Sequence, residues 1–166
     1  MREFLAQIRR GLNANLYYLS LFSALAIPDI CGAMSSEDGI ATSKKYKAWF
    51  GKYVTPKYKN FLNGDDCYYF RCSLLHQGSS QHENSSYERV LFVEPSTTTN
   101  IVLHCNVIND ALNIDVKIFC SDLVGAAEKW LEENENTDLY KKNHDKFMRR
   151  YPDGLSPYVV GVPVIS

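Results

Sequence analysis

Between Leu16 and Ile27 the chain reads LYYLSLFSALAI, and this stretch restricts the fold more than any other. A helix beginning near Asn13 would carry Leu16, Leu19, Phe22 and Ala26 on one side, with Leu21 and Leu25 beside them. With almost no polar face, such a helix belongs at the centre of a core or in a membrane. Twelve residues fall short of the roughly 20 that cross a bilayer. Arg2, Arg9 and Arg10 ahead of the run, and Ala24-Leu25-Ala26 within it, imitate a secretory leader. Glu3 among the arginines and the interrupting GLNAN argue against one, so the expectation is the central helix of a soluble, cytoplasmic protein with no membrane partner. Pro28 ends or bends the helix. Asp29 is an unusual acid in an apolar setting; it reads first as an N-cap for a turn starting at Ile30, and second as a buried carboxylate orienting a site residue.

A chain of 166 residues is the length of one ordinary domain, and 45% hydrophobic with 22% charged residues is the composition of a folded one. The net charge of −1 supplies no general field for a polyanion, so any nucleic-acid contact must be local. Five cysteines, odd in number and without a C-x-x-C, read as reduced, buried thiols.

Residues 2–10 read as a short helix, and Thr42 and Ser43 cap another that runs to about Val54. From Lys44 to Lys59 there are six lysines and no acid, interleaved with Tyr46, Trp49, Phe50, Tyr53 and Tyr58. That mixture suits phosphates and unstacked bases, with Lys44, Lys45, Lys47 and Lys52 as RNA-backbone contacts. It equally suits a helix with aromatics in the core and lysines in water. A third helix spans Asp65 to His76 or Gln77, its acids at the N-terminal end and Gly78 closing it. After the polar SSQHENSS the period changes: Tyr87–Glu94, Asn100–Ile108 and Ala111–Phe119 predict a small antiparallel meander, turning at Pro95–Thr99 and at Asn109-Asp110. Ser121 or Asp122 would cap a helix to Asn134, and a short helix and an apolar tail, SPYVVGVPVIS, would follow and dock on the core or a partner. The expectation is one predominantly helical α+β domain over 1–166. It comprises a helical part at 1–78, the β insertion at 87–119, a packing helix at 120–134, and a short helix with a docked tail at 135–166.

The chemistry concentrates in DDCYYFRCSLLHQGSS, Asp65 to Ser80. Zinc held by Cys67, Cys72 and His76, with His82 as fourth ligand, is disfavoured because Cys67 lies five residues from Cys72 and points away from it. A Cys72 nucleophile activated by His76 one turn later lacks an obvious oxyanion loop. Arg71 and His76 remain. An arginine forks onto phosphate oxygens, and the negative end of a helix favours a protonated imidazole, so the two can move a proton and steady a pentacovalent phosphate. Five residues along an ideal helix put them roughly 140° apart, to be bridged by the arginine's long stem or by a second copy. Asp66 is placed to pair with Arg71, and Tyr69 to stack on a base or bond the imidazole.

RCSLLH in a helical setting resembles the Arg-x(4–6)-His motif of the HEPN superfamily, helical nucleotide-binding or RNA-cleaving domains of prokaryotic defence and toxin systems. The resemblance implies a helical bundle carrying the strands as an insertion, and a metal-independent endoribonuclease with Arg71 and His76 as catalytic residues. It implies no cofactor, a homodimer with a composite cleft on its axis, and an antitoxin-like protein partner. In that family a polar residue usually follows the arginine; here it is Cys72. The alternative is a non-catalytic RNA- or nucleotide-binding or regulatory module of the same fold.

Overall fold

The apolar run does not form one central helix. In the computed structural model, which describes residues 1–59, 61–96, 98 and 101–166, it is divided at Ala26. Helix α1 (Arg2–Asn13) is followed by α2 (Tyr17–Leu25) and α3 (Ile27–Met34), with Pro28 in the first turn of α3, where a missing N–H leaves no bond unmade. Helix α2 buries Ser20, Leu21, Ala24 and Leu25. Its other side faces solvent, with Tyr18 69% and Leu19 63% exposed. Among the described residues, Tyr17–Met34 is the one helical stretch apolar and long enough to match a membrane span, with mean hydropathy 1.3, and half of it is buried inside the fold.

Helices α4 (Ser43–Tyr53), α5 (Thr55–Tyr58) and α6 (Gly64–Gln77) come next, then strands β1 (Arg89–Val93), β2 (Asn106–Ile108) and β3 (Ala111–Asp115). The helix that contributes the most buried residues is α7 (Val116–Asn134). Its inner positions Phe119, Cys120, Leu123, Val124, Ala127 and Leu131 are wholly covered, because i, i+3, i+4 spacing builds one broad apolar face against α1, α2, α3 and α4. Helix α8 (Asp138–His144) and four two-residue strands, β4 (Arg150–Tyr151), β5 (Gly154–Leu155), β6 (Val159–Val160) and β7 (Val164–Ile165), complete the chain. The protein is thus α+β and predominantly helical, with small sheets.

Three expectations about the second half change. The strands run β1-β3-β2, with β1 parallel to β3 and β2 antiparallel to it, so they are not a meander. Asn109 and Asp110 do turn β2 into β3, both at positive φ (48° and 60°), as a two-residue hairpin requires. Thr97, Thr99 and Asn100, within the predicted first turn and second strand, lie outside the described residues. The third strand stops at Asp115, whose carboxylate accepts from Ile118 N at 2.8 Å and starts α7 there instead of at Ser121 or Asp122. Alternation at Leu112, Ile114, Val116 and Ile118 therefore crosses a strand-to-helix boundary. The tail pairs with itself, β4 with β7 and β5 with β6, and stays largely in solvent.

Candidate functional site

Helix α6 carries the site, and its ends are as the sequence predicts. Asn63 Oδ1 accepts from Asp65 N and Asp66 N at 2.8 and 3.0 Å, and the acids occupy the first turn, where the helix dipole favours them. At the other end Gly78 N and Ser79 N donate to the carbonyls of Leu74 and Ser73. Cys67, Phe70, Ser73 and Leu74 are buried, which turns Tyr68, Tyr69, Cys72 and His76 outward and leaves Arg71 at the border.

Arg71 closes the angular gap with its stem. Its Nη1 comes within 3.4 Å of His76 Nε2 and 3.9 Å of Cys72 Sγ, while Nη2 meets Asp29 Oδ2 of α3 at 2.5 Å. A guanidinium only donates, so in this contact Nε2 is the accepting atom. The pair with Asp29 is largely sheltered, the side chains being 20% and 14% exposed, whereas His76 stands in solvent. Burial raises the Asp29 carboxyl above its ordinary value, and the Arg71 charge pulls it only part of the way back. Burial also opposes the Arg71 charge, but Asp29 and Cys72 more than offset it and the guanidinium remains a cation.

Asp29 is therefore no N-cap: it sits in the first turn of α3, and the less favoured reading, a carboxylate orienting a site residue, describes its position. The proposed Asp66–Arg71 pair is not made. Asp66 is 4% exposed and accepts from Ser86 N at 3.0 Å, fastening the polar loop to the start of α6. It is separated from Arg71 by the same 140° as any i, i+5 pair, and no long stem is aimed its way.

The lysine tract is met by acids from elsewhere. Lys45 reaches Asp38 at 2.6 Å, Lys52 reaches Glu133 at 3.1 Å, and Lys57 reaches Asp122 at 2.6 Å. Tyr46, Trp49 and Phe50 of α4 and Tyr58 of α5 are core residues, as the plainer reading of the tract places its aromatics. Lys44 is exposed on the first turn. Lys47 pairs with Asp65 at 2.6 Å and lies 4.7 Å from the centre of the Tyr69 ring, which in turn stacks on His82 with centroids 4.7 Å apart. One face of Tyr69 is thus already covered, and His82, considered from sequence as a fourth zinc ligand, belongs to this aromatic group instead. For Asp29 the sequence signal was the lone acid in PDICGAM.

Cys67 is turned inward, its sulfur 3.3 Å from Tyr46 OH, and burial pushes its thiol up to about 12. It does not join Cys72 and His76, and among the described residues no three His, Cys, Asp or Glu side chains are grouped to hold a metal. His104 packs its ring on Tyr58 at 5.4 Å, a structural role.

Fold and site together describe a helical α+β domain with a solvent-facing histidine beside an anchored arginine. No protein-family model, curated protein or solved structure matches the chain.

Proposed function

We propose that this protein is a metal-independent endoribonuclease of HEPN type, acting in stress or phage defence. The observation that carries the reading is the meeting of Arg71 and His76 at 3.4 Å on the open end of α6, with Asp29 gripping the guanidinium from behind. A phosphodiester entering here would draw Arg71 Nη1 onto a non-bridging oxygen and release His76 Nε2. The freed nitrogen takes the proton of the 2′-OH; the 2′-oxygen bonds to phosphorus, and the bond to the 5′-oxygen breaks. The protonated imidazole returns its proton to that leaving oxygen, so the products are a 2′,3′-cyclic phosphate and a 5′-hydroxyl. Lys44 would hold flanking phosphates together with Lys45, Lys47 and Lys52, whose ion pairs lie at the surface, where solvent screens them and they can be exchanged. A homodimer would set two such helix ends side by side, and an antitoxin-like protein would cover them.

The test is cleavage of a fluorescent RNA in EDTA by the wild type, His76→Ala and Arg71→Lys. The lysine variant keeps a cation beside Asp29 and loses the fork. Both substitutions should cut the rate by roughly 10²-fold or more with unchanged circular dichroism. Cleavage that persists in both, or that EDTA abolishes in the wild type, overturns the proposal.

Asp29 also favours a second reading, because a carboxylate already spends part of the Arg71 charge and Cys72 stands where the family has a polar residue. A module that binds RNA or nucleotide without turning it over would retain RNA on a filter and produce no cyclic phosphate.

A further inference from the structure

Both tryptophans of the chain wall one hollow that the chemistry of Arg71 and His76 leaves unused. It opens between the end of α3, one face of α4 and the C-terminal part of α7, and its volume of about 420 Å³ is that of a small-molecule pocket. Trp49 and Trp130 are 5% and 2% exposed, so the indoles are fixed walls and not loose surface rings. Tyr53 extends the aromatic lining, its ring centre 5.2 Å from that of Trp49. Helices α3 and α4 close up beside the hollow because Gly32 has no side chain: a Cβ there would stand 3.0 Å from the Cβ of Lys45.

The two indoles differ in what their N–H groups meet. Trp130 Nε1 donates to Ser35 Oγ at 3.0 Å. Trp49 Nε1 is buried and has no acceptor among the described residues, although a buried indole N–H ordinarily finds one and its lack costs stability. Ser35 offers a second donor, since a hydroxyl that accepts from one indole still has its own proton to give. The charged side chains that line the hollow are Lys45 and Lys52, both cations, while their acids, Asp38 and Glu133, stand outside its lining.

Unmatched donors, a cationic rim and aromatic walls together select an anion with an aromatic body. Each lysine already shares its charge with a carboxylate, so the rim suits one negative charge better than the two of a phosphate monoester. We propose that the α3–α4–α7 hollow is a binding site for a small aromatic carboxylate, whose ring lies against Trp49 and Trp130 and whose oxygens meet Trp49 Nε1 and the two lysines. The site shares Lys45 and Lys52 with the proposed RNA path but involves neither Arg71 nor His76. Its occupancy is measured with no RNA present, so its failure and that of the nuclease reading are distinguishable.

The test is titration of the full chain with 3-phenylpropionate, read by calorimetry and by tryptophan emission, which both walls of the hollow supply. Saturable binding should appear with a dissociation constant below about 1 mM. The uncharged 3-phenylpropan-1-ol and the dianionic phenyl phosphate should each bind at least about fivefold more weakly. Lys52→Met alters an exposed side chain, and Trp49→Phe keeps a ring while removing the N–H and leaving Trp130 to report. Each should raise the dissociation constant about fivefold or more. Absence of saturable binding up to about 5 mM, an alcohol that binds as tightly as the acid, or an affinity unchanged by Lys52→Met or by Trp49→Phe overturns the proposal. Phenyl phosphate that binds more tightly than 3-phenylpropionate gives the hollow to phosphate esters and overturns it as well.

Discussion

Asp29 is where two electrostatic terms oppose each other most directly. Burial raises its carboxyl, Arg71 lowers it, and burial prevails. A carboxyl raised in the folded state adds stability that is complete below its unfolded value, 3.8, and is lost as pH rises through the folded value. The stability of the wild type relative to Asp29→Asn should therefore fall as pH rises above the ordinary carboxyl value of 3.8, as urea unfolding of both proteins would show. A difference that moves toward the wild type with rising pH would mean that the Arg71 attraction outweighs desolvation. The arginine's own contribution follows from the same pair. Arg71→Ala leaves a half-buried carboxylate uncompensated and should cost about 1–3 kcal/mol, and Arg71→Met with Asp29→Leu should recover most of it. At this scale the sequence was informative about chemistry and silent about partners. Arg71 and His76 stand out because of what guanidinium and imidazole do, whereas the hold of Asp29 on Arg71 joins residues on α3 and α6 that no local pattern connects.

Among the elements, α6 and α4 were legible almost from end to end because their signals are local: Thr42 as a cap, Asp65 and Asp66 in a first turn, Gly78 at a stop. The β3–α7 junction was not. Leu112 to Ile118 satisfies a period of two, and the same residues satisfy the helix because only Val116 and Ile118 lie beyond the boundary. The decision falls to Asp115, whose side chain captures an amide that a strand would have used elsewhere. Asp115→Ala should destabilise the protein by about 1 kcal/mol, with far-ultraviolet circular dichroism and urea unfolding as the readout, because α7 loses its cap and the buried Asp115 position loses its bond. Ser121→Ala, now inside the helix, should change stability by less than about 0.5 kcal/mol. The parallel pairing of β1 with β3 was hidden for a different reason: strand order is decided by which edges the helices leave open, and a strand's sequence does not carry it.

Across the whole molecule, folding redistributes charge in a way that composition cannot show. The chain has 18 basic and 19 acidic side chains, and its acid-free lysine tract looks like a local positive strip. In the structure Lys45, Lys47, Lys52 and Lys57 each face an acid, brought from α6, α7 or the loop before α4. A lysine that leaves a carboxylate for a phosphate exchanges one counter-charge for another, and that carboxylate then gathers a cation of its own. Under the proposed function, the net release of ions when RNA binds would be correspondingly small, with Arg71 subject to the same exchange through Asp29. For single-stranded RNA the logarithm of affinity falls with the logarithm of salt by about 0.7 per phosphate neutralised. Binding by this protein should therefore show a slope shallower than about −2 between 50 and 200 mM salt, as fluorescence anisotropy with His76→Ala and a labelled RNA would measure. Asp65→Asn releases Lys47 beside Tyr69 and should steepen the slope by up to about 0.7, while Glu133→Gln should do so only if RNA reaches Lys52. A slope near −5 for His76→Ala would mean that RNA lies on a face other than the one formed by α4 and α6.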